Sequence, residues 1–142
     1  MLKTIEKENY IKAVYKMQEK NQRVTVSYLS NQFNVSKSTV SNMIKKLRIM
    51  NLIGSNPYKP INLTKSGKQA AMKIVTKHRL IELYLVKKMY FDRDEVHEIA
   101  EEIEHIKNTK FFIKIQQILG EAKLDPHGSK IPKFNFNTKT QF

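Results

Sequence analysis

The chain of 142 residues has no cysteine and no tryptophan, and it contains only four glycines and four prolines. Without cysteine it can have no disulfide framework, no thiolate metal ligand and no cysteine nucleophile. Its first ten residues include two lysines and two glutamates, and they lack the apolar core of a signal peptide. The apolar stretch 80–86 is interrupted by Glu82 and is too short to span a bilayer. We expect a cytoplasmic protein of one domain or two small ones, with no membrane segment.

Acidic residues are absent from residues 20–81, although this stretch contains 12 of the 26 lysines and arginines. Eight of the 13 acidic residues then fall between Glu82 and Glu104. The net charge of +13 favours an acidic partner such as nucleic acid. Scattered basic charge can serve solubility alone, but that does not explain so long a stretch without an acid. The separation of charge indicates two functions in two parts of the chain.

The spacing of apolar residues predicts a mainly helical fold. Short strand-like pieces at 52–53 and 61–63 flank the turn cluster 56–60, which predicts a hairpin. Possible capping residues and apolar periodicity place helices over about 6–20, from Thr25 or Ser27, from Ser36 or Ser38, and over 65–89, 95–106 and 109–119.

Residues 26–45 fit a helix-turn-helix at its constrained positions. Ser30 supplies the small residue at the crossing of the two helices, Asn34 tolerates the positive φ of the turn, and Val40 faces the first helix. An ordinary helical hairpin within a bundle would share these features. The exposed face of the second helix favours DNA binding instead, because residues at the start of such a helix meet base edges in the major groove.

Short polar side chains on that face can contact base edges, and the lysines beside them can reach phosphates. The following hairpin then corresponds to a wing, with its tip toward the DNA backbone or minor groove. Packing within the turn explains Tyr58 equally well. The predicted DNA-binding residues are Ser36, Lys37, Ser38, Thr39, Ser41, Asn42, Lys45, Lys46, Tyr58 and Lys59.

Three of the four histidines lie in the acid-rich part of the chain, where His78 and Glu82 are one helical turn apart. Imidazoles and carboxylates without a thiolate suit Mn(II), Fe(II), Co(II) or Zn(II). A charged helix face that is simply solvated gives the same pattern, and no H-E-x-x-H motif supports a metalloprotease. On a continuous helix, four side chains share about 100° of one face: His97, Glu101, Glu104 and His105.

Several segments occur in the order and spacing of one known family. Together they resemble the diphtheria toxin repressor family of metal-dependent regulators, which includes the manganese transport regulators, over about residues 5–132. The resemblance implies a homodimeric winged-helix repressor that is activated by Mn(II) or Fe(II) and binds double-stranded DNA at a palindromic operator. The segments are 8–15 (ENYIKAVY), 38–47 (STVSNMIKKL), 63–67 (LTKSG), 78–80 (HRL), 96–98 (VHE), 104–105 (EH) and 125–128 (DPHG).

The resemblance also implies two sets of metal ligands. His78, Glu82 and His97 match one site of the family. Asn9, Glu101, Glu104 and His105 match the other. A metal bound there would join the first helix to the later ones and so fix the angle of each recognition helix in the dimer.

The ligand positions give a mixed metal preference. Asn9 stands where iron-type members have methionine and manganese-type members aspartate, and Lys12 replaces a second carboxylate of the manganese type. Glu101 matches the manganese type, because iron-type members have cysteine there. His97 belongs to the iron-type pattern. Since a carboxylate in place of sulfur favours harder ions, we expect Mn(II) first and Fe(II) close behind.

Three parts of the chain are expected: a winged helix-turn-helix DNA-binding domain over 1–72, a helical metal-binding and dimerisation domain over 73–125, and an extended tail over 126–142. Many family members carry a further SH3-like domain that lends ligands to the site matching His78. This chain stops within ten residues of Pro132, either as a shorter branch of the family or through truncation. In either case water or other residues must complete that site.

Two other functions remain compatible with the residues. A winged-helix regulator could respond to an organic ligand or to no effector, and its DNA binding would then not depend on metal. A metal-dependent enzyme is disfavoured because no nucleophile or phosphate-binding loop accompanies the histidines, so we do not expect an enzyme. Apolar residues of the later helices are candidate dimer contacts, although a core within one chain explains each equally well: Leu83, Leu85, Phe112, Ile115 and Leu119.

Overall fold

The computed structural model describes residues 2–142, with side chains from Thr4 onward. Met1, the first residue of the predicted DNA-binding domain, lies outside this range. The described chain is mainly helical, and its β pairing is confined to two isolated antiparallel bridges, Ile53 with Leu63 and Leu124 with Lys130. The helices are α1 (Leu2–Glu19), α2 (Val26–Phe33), α3 (Lys37–Ile49), α4 (Lys65–Met89), α5 (Val96–Ile103) and α6 (Thr109–Leu119). None of these helices combines the length and hydropathy needed to cross a bilayer.

The chain forms two compact units. The first contains the residues up to Ala71 together with Thr140–Phe142, and the second contains Met72–Lys139. Each unit has its own apolar core, built in the first from α1, α2, α3 and the segment that follows. In the second, α4, α5 and α6 are joined by aromatic residues of the C-terminal segment, including Phe134 and Phe136.

Local signals determine the starts of α2 and α3, and of the alternatives that the sequence offered, Thr25 and Ser36 are the caps. The Thr25 side chain accepts a hydrogen bond from the backbone N–H of Tyr28, and Ser36 accepts one from the N–H of Thr39. These oxygens satisfy amide groups that have no partner within the helix. Asn34 ends α2 in the left-handed conformation, with φ of 53°, a geometry that asparagine tolerates better than most residues.

The core between α2 and α3 is tightly closed. Leu29 and Val40 are both 0% exposed, so each helix contributes a side chain wholly removed from water. The Ser30 hydroxyl donates to the Val35 carbonyl oxygen over 2.6 Å. A small residue at this position therefore also ties α2 to the turn that sets the direction of α3.

The predicted hairpin is only partly formed. The Gly54 N–H donates to the Asn62 carbonyl oxygen over 2.9 Å, next to the bridge between Ile53 and Leu63. Pro57 and Pro60 flank the tip, and since proline has no amide hydrogen, it cannot donate to a longer ladder. We call residues 53–63 the wing.

The helix predicted over 95–106 was too long at its C-terminal end. Helix α5 stops at Ile103, Glu104 is its cap, and His105 lies in the turn beyond. Asn108 already caps α6 by accepting from the Lys110 N–H, so the chain must leave α5 before that point. The prediction that His105 lies within the same helix as His97 was therefore wrong.

Four of the five candidate dimer contacts belong to the core of the second unit. Leu83, Leu85, Phe112 and Ile115 are all less than 7% exposed and pack within one cluster. Leu119 packs against the same cluster and is partly buried. The explanation by packing within one chain applies to these residues.

Helix α4 begins in close contact with residues 51–52, which directly precede the wing. Thr64 accepts from the Gly67 N–H over 3.0 Å and donates to the Asn51 carbonyl oxygen over 2.6 Å. A β-carbon placed on Gly67 would lie 1.9 Å from the Leu52 carbonyl oxygen. The backbone can approach this closely only because residue 67 has no side chain.

The substitution Gly67→Ala should destabilise the protein, although alanine normally favours a helix over glycine by about 1 kcal/mol. The overlap with a backbone oxygen cannot be relieved by a rotamer change, so we expect a net loss of about 1–3 kcal/mol in the free energy of unfolding. Thermal or urea unfolding measures it. Ser66→Ala, at the exposed neighbouring position, is the control and should leave stability nearly unchanged. Equal stability of both variants would contradict the close approach.

Candidate metal centre and nucleic-acid interface

The predicted DNA-binding residues lie at the surface of the first unit. Those on α3 and at its cap are exposed, apart from Ser41, which is partly buried. At the tip of the wing, Tyr58 is 94% exposed and Lys59 is also exposed. Packing within the turn, the alternative explanation for Tyr58, is not supported by this exposure.

Hydroxyl groups at the start of α3 form a small network. Ser36 Oγ lies 3.0 Å from Ser38 Oγ and 2.8 Å from Thr39 Oγ1, and it also caps the helix. Ser36 thus both caps the helix and holds the hydroxyls of Ser38 and Thr39. This distinguishes Ser36, as a positioning residue, from the other predicted contacts.

A basic groove separates α3 from the wing. Its cationic lining residues include Arg23, Lys45, Arg48 and Lys59, and Tyr58 stands at its edge. The Arg48 Nε donates to the Gly54 carbonyl oxygen over 3.0 Å, which links α3 to the base of the wing. Arg23 was not among the predicted contacts; its place in the acid-free stretch was the one signal for it. The groove offers several cations to a polyanion.

Helix α4 carries the first two predicted metal ligands in a buried position. His78 and Glu82 are each 2% exposed, and His78 Nε2 lies 3.3 Å from Glu82 Oε1. The other ring nitrogen, His78 Nδ1, is 2.8 Å from Glu104 Oε2. Their spacing of four residues puts both side chains on one face of the helix, and the fold turns that face inward.

His97 on α5 completes the first predicted set. Its Nδ1 lies 3.6 Å from Glu82 Oε2, and its Nε2 lies 2.8 Å from Glu101 Oε1. Both His97 and Glu101 are half exposed, so the cluster is buried on the α4 side and open to solvent on the α5 side. The donor atoms of His78, Glu82 and His97 all lie within 4.8 Å of one another.

The second predicted set is arranged differently. Glu104 is 0% exposed, and its Oε1 lies 3.4 Å from His105 Nε2. The alternative explanation, a charged face that is simply solvated, does not apply to Glu104, because this side chain is buried beside His78. Asn9 lies on α1 in the first unit, and its part in a metal site stays a prediction.

A fourth histidine, absent from the predicted ligands, approaches the same carboxylate. His127 Nδ1 lies 3.5 Å from Glu82 Oε2, and its Nε2 lies 2.9 Å from the Arg93 carbonyl oxygen. Glu82, Asp125 and His127 form a second group of donors within 4.8 Å. The sequence signal was the Asp-Pro-His-Gly segment, which was noted only as part of a family pattern.

The electrostatics of the cluster reflect its burial. Burial alone would lower the pKa of His78, but hydrogen bonds with Glu104 and Glu82 and their negative charges outweigh it and raise that pKa above 6.5. Burial alone would raise the pKa of Glu82, but His78, with weaker contributions from His127 and His97, lowers it below 4.5. Glu82 Oε2 is nevertheless a buried atom without a hydrogen-bond partner among the described residues.

This donor set fits a divalent transition-metal ion. It offers imidazole nitrogens and carboxylate oxygens, and the chain has no thiolate. The borderline ions Fe(II) and Zn(II) and the harder ion Mn(II) accept this combination. An unpartnered buried carboxylate oxygen facing ring nitrogens is an arrangement that a shared cation satisfies.

Two family models match the chain. One, described as the N-terminal DNA binding domain of the iron dependent repressor, matches residues 3–61. The other, described as the metal binding and dimerisation domain of the iron dependent repressor, matches residues 64–133. The boundary between the two matches falls at the start of α4.

Similar proteins include two repressors and one membrane protein. A structure described as a manganese-dependent transcriptional repressor in complex with manganese is 35% identical, with a TM-score of 0.81, over 89% of this chain and 58% of that one. The diphtheria toxin repressor of Corynebacterium glutamicum is 24% identical over 88% of this chain and 55% of its own length. A probable metal transport system membrane protein of Chlamydia trachomatis is 42% identical over 51% of this chain but only 16% of its own length. The chain thus covers little more than half the length of the two repressors and a much smaller part of the membrane protein.

In the metal-free protein, the free energy of unfolding should depend on the protonation of His78 and Glu82. Because the pKa of His78 is raised above 6.5 in the folded protein, protonated His78 stabilises the fold. This stabilisation is complete below pH 6.5 and is lost as the pH rises through the pKa of the folded state. Because the pKa of Glu82 is lowered below 4.5, ionised Glu82 also stabilises the fold. This stabilisation is complete above pH 4.5 and is lost as the pH falls through the pKa of Glu82 in the folded state. The combined stabilisation is therefore complete between pH 4.5 and 6.5.

Urea unfolding in the presence of a chelator, over a range of pH, measures this dependence. We expect stability to decrease on the alkaline side in the wild type, and His78→Gln to flatten that decrease. An identical alkaline profile in both proteins would contradict the ion pairing around His78.

Proposed function

The chain belongs to the diphtheria toxin repressor family of metal-dependent regulators, and from this premise we propose that it is a transcriptional regulator, acting as a repressor, whose DNA binding is activated by Mn(II) or Fe(II). The observation that carries the proposal is the buried, unpartnered oxygen of Glu82 among ring nitrogens. It occurs in a chain whose other unit has an exposed helix-turn-helix and a basic groove.

DNA recognition is assigned to α3 and the wing. Lys45, Lys46 and Lys59 supply phosphate contacts, and Ser38 and Asn42 supply donors and acceptors for base edges. All five are exposed. Because the residues of one helix cover only a few base pairs, a dimer on a palindromic operator gives the affinity and specificity that a regulator needs.

The metal is assigned to His78, Glu82 and His97, with Glu104 as the acceptor that orients the His78 ring. A carboxylate that receives the outer N–H of a ligating histidine fixes its tautomer and raises its basicity. A bound divalent ion supplies positive charge that balances the buried carboxylate of Glu82. Glu101, His105 and Asn9 remain the proposed ligands of a second site. We place Mn(II) before Fe(II) because Glu101 offers a carboxylate in place of a thiolate, and carboxylates favour harder ions.

Regulation follows from linkage between the two activities. An effector can shift an equilibrium only by its different affinities for the two states. In the metal-free chain, Glu104 and Glu82 favour the protonated form of His78, as the raised pKa of His78 indicates. A metal ligand must be the neutral ring, so metal binding opposes that protonation. We propose that this change in the charge state of the second unit favours the form of the dimer that binds DNA.

Homodimerisation is assigned to the second unit, in line with the description of the matching family model. On α6, Phe111 is 40% and Ile118 is 50% exposed. They are seven residues apart and so lie on the same side of the helix. This pair is the proposed apolar contact in place of the residues that proved to be core.

We do not assign a catalytic activity. The polar groups of the cluster are accounted for as ligands and their acceptors, and this leaves none of them as a nucleophile. A regulator acts on DNA in the cytoplasm, where we place the protein. The second candidate function, a winged-helix regulator that responds to an organic ligand, is less well supported because it gives the histidines around Glu82 no role.

Mn(II)-stimulated DNA binding should be lost in Glu82→Gln. The amide keeps the shape of the side chain but removes the charge, so we expect Mn(II) affinity to fall at least about 10-fold. Calorimetric titration of Mn(II) and a DNA-binding assay with and without Mn(II) measure the two effects. Glu102→Gln on the exposed side of α5 is the control and should behave as wild type. Chelator-insensitive DNA binding in the wild type would leave the metal-independent regulator as the better proposal.

Sequence discrimination should depend on α3. Asn42→Ala should weaken binding to a DNA fragment selected for tight binding by about 1–3 kcal/mol and leave binding to random DNA nearly unchanged. Lys46→Ala should weaken both and reduce the steepness of the salt dependence by about one. Lys87→Ala, in the last turn of α4, is the control. If Asn42→Ala and Lys46→Ala have the same effect on both DNAs, the base-reading surface lies elsewhere.

A further inference from the structure

Helix α4 carries a lysine in the interior of the second unit, directly before the ligand His78. Lys77 is 2% exposed, and burying an ammonium group is costly unless polar groups or an aromatic face compensate it. The structure supplies both. Lys77 Nζ donates a hydrogen bond to the Ile106 carbonyl oxygen over 2.7 Å, and it lies 4.7 Å from the centroid of the Phe112 ring. The ammonium is therefore held at a defined place between α4, α6 and the segment after α5.

The acceptor of this hydrogen bond belongs to the turn that ends α5. The Ile106 N–H donates to the Ile103 carbonyl oxygen over 3.0 Å, and the turn so formed contains Glu104 and His105. The Ile106 side chain is 39% exposed, so its burial contributes little to fixing the turn. The hydrogen bond from Lys77 instead ties the last residue of the turn to α4.

The aromatic ring beside the ammonium is itself fixed. Phe112 is 0% exposed and stacks on Phe136 with ring centroids 5.8 Å apart. Phe111 meets it edge to face, with centroids 5.1 Å apart and an interplanar angle of 88°. A closely packed interior leaves such rings few alternative positions. Lys77 thus connects two rigid parts of the unit to the turn.

Glu104 is the group of the turn whose position matters for the metal. Its Oε2 lies 2.8 Å from His78 Nδ1, whereas His78 Nε2 lies 3.3 Å from Glu82 Oε1. A neutral imidazole has a single N–H, and the shorter contact places that hydrogen on Nδ1. Nε2 is then an acceptor that can bind a metal ion. If Glu104 moved away, Glu82 would attract the hydrogen to Nε2, and this nitrogen would no longer bind metal.

We propose that Lys77 is a positioning residue of the metal site: through the Ile106 carbonyl it fixes Glu104, and Glu104 selects the tautomer of His78 that binds a divalent ion. This inference rests on the proposed function. The same contact holds His105, which adjoins Glu104 and belongs to the second predicted set of ligands.

Charge compensation is the competing explanation. Lys77 would then only balance the buried carboxylates of the second unit. Its removal would lower the free energy of unfolding without changing the tautomer of His78 in the folded protein. Because the tautomer is measured on the metal-free protein, the two explanations can be separated without any metal.

The experiment compares the wild type with Lys77→Met, in which the side chain keeps nearly the same length but has no donor. Heteronuclear NMR of the imidazole nitrogens, at an alkaline pH where the ring is neutral, identifies the tautomer of His78, and calorimetry gives the Mn(II) affinity. We expect hydrogen on Nδ1 in the wild type and on Nε2 in Lys77→Met, with Mn(II) affinity lower by about 10-fold or more. Lys88→Met, at the exposed end of α4, is the matched control and should behave as wild type.

A second variant covers the case in which Lys77→Met does not fold, which circular dichroism reveals. Phe112→Leu removes the ring beside the ammonium but leaves an apolar side chain in the core. It should loosen the contact with Ile106 and give a mixture of the two tautomers of His78. If Lys77→Met is unfolded, an unchanged tautomer in folded Phe112→Leu overturns the inference.

The inference requires both changes in folded Lys77→Met, the altered tautomer and the weaker Mn(II) binding, and either one alone overturns it. If neither occurs, Lys77 only balances charge. Glu82→Gln tests the proposed function separately, since normal Mn(II) binding by that variant would refute the proposed metal site. The tautomer of His78 would then still decide whether Lys77 positions Glu104.

Discussion

The buried carboxylate of Glu82 is the constraint on which the second unit depends. Removing such a charge from water costs several kcal/mol unless neighbouring groups compensate it. Here the compensation comes from histidines on three different segments, α4, α5 and the loop at His127, so the packing of these segments and the charge balance of Glu82 depend on each other. The same interior contains a second carboxylate, Glu104, which shares His78 with Glu82. His78 thus lies between two buried acids, and a divalent cation at Glu82 would add positive charge to this cluster.

The first unit differs from the second because its core is apolar and its surface is basic. Its core contains apolar side chains such as Leu29 of α2 and Val40 of α3, whereas Lys45, Lys46 and Lys59 are exposed. Because residues 20–81 contain no acid, no carboxylate of this stretch neutralises the basic groove. The groove is thus available to a polyanion. One chain therefore combines a unit that concentrates buried negative charge with a unit that displays positive charge.

The parts of the fold set by local chemistry could be predicted from the sequence. The caps at Thr25 and Ser36 and the turn at Asn34 depend on one residue and its immediate neighbours, and the structure has them where the sequence placed them. The end of α5 was missed because periodicity continues past Ile103, whereas the cap of α6 at Asn108 decides where the chain turns.

The candidate site shows the same limit. The i, i+4 spacing of His78 and Glu82 predicted their common face, and the family pattern added His97. The burial of Glu104 and the approach of His127 to Glu82 depend on segments that are far apart in sequence. A local sequence pattern cannot predict a contact between segments that are distant in sequence. His127 stood in a recognisable turn, yet only the fold shows which carboxylate that turn reaches.

The hydroxyl network at the start of α3 has a consequence for recognition. Ser38 and Thr39 are already held by Ser36 before any ligand arrives, so little rotational freedom remains for them to lose when a base edge is contacted. Ordering a side chain at an interface costs about 0.5–1.5 kcal/mol when it starts out mobile. Each hydroxyl that turns to DNA must, however, give up its bond to Ser36. A base edge that forms an equally good hydrogen bond compensates that loss. A base edge that cannot do so leaves the hydroxyl bonded to Ser36, so the existing hydrogen bonds contribute to sequence selectivity.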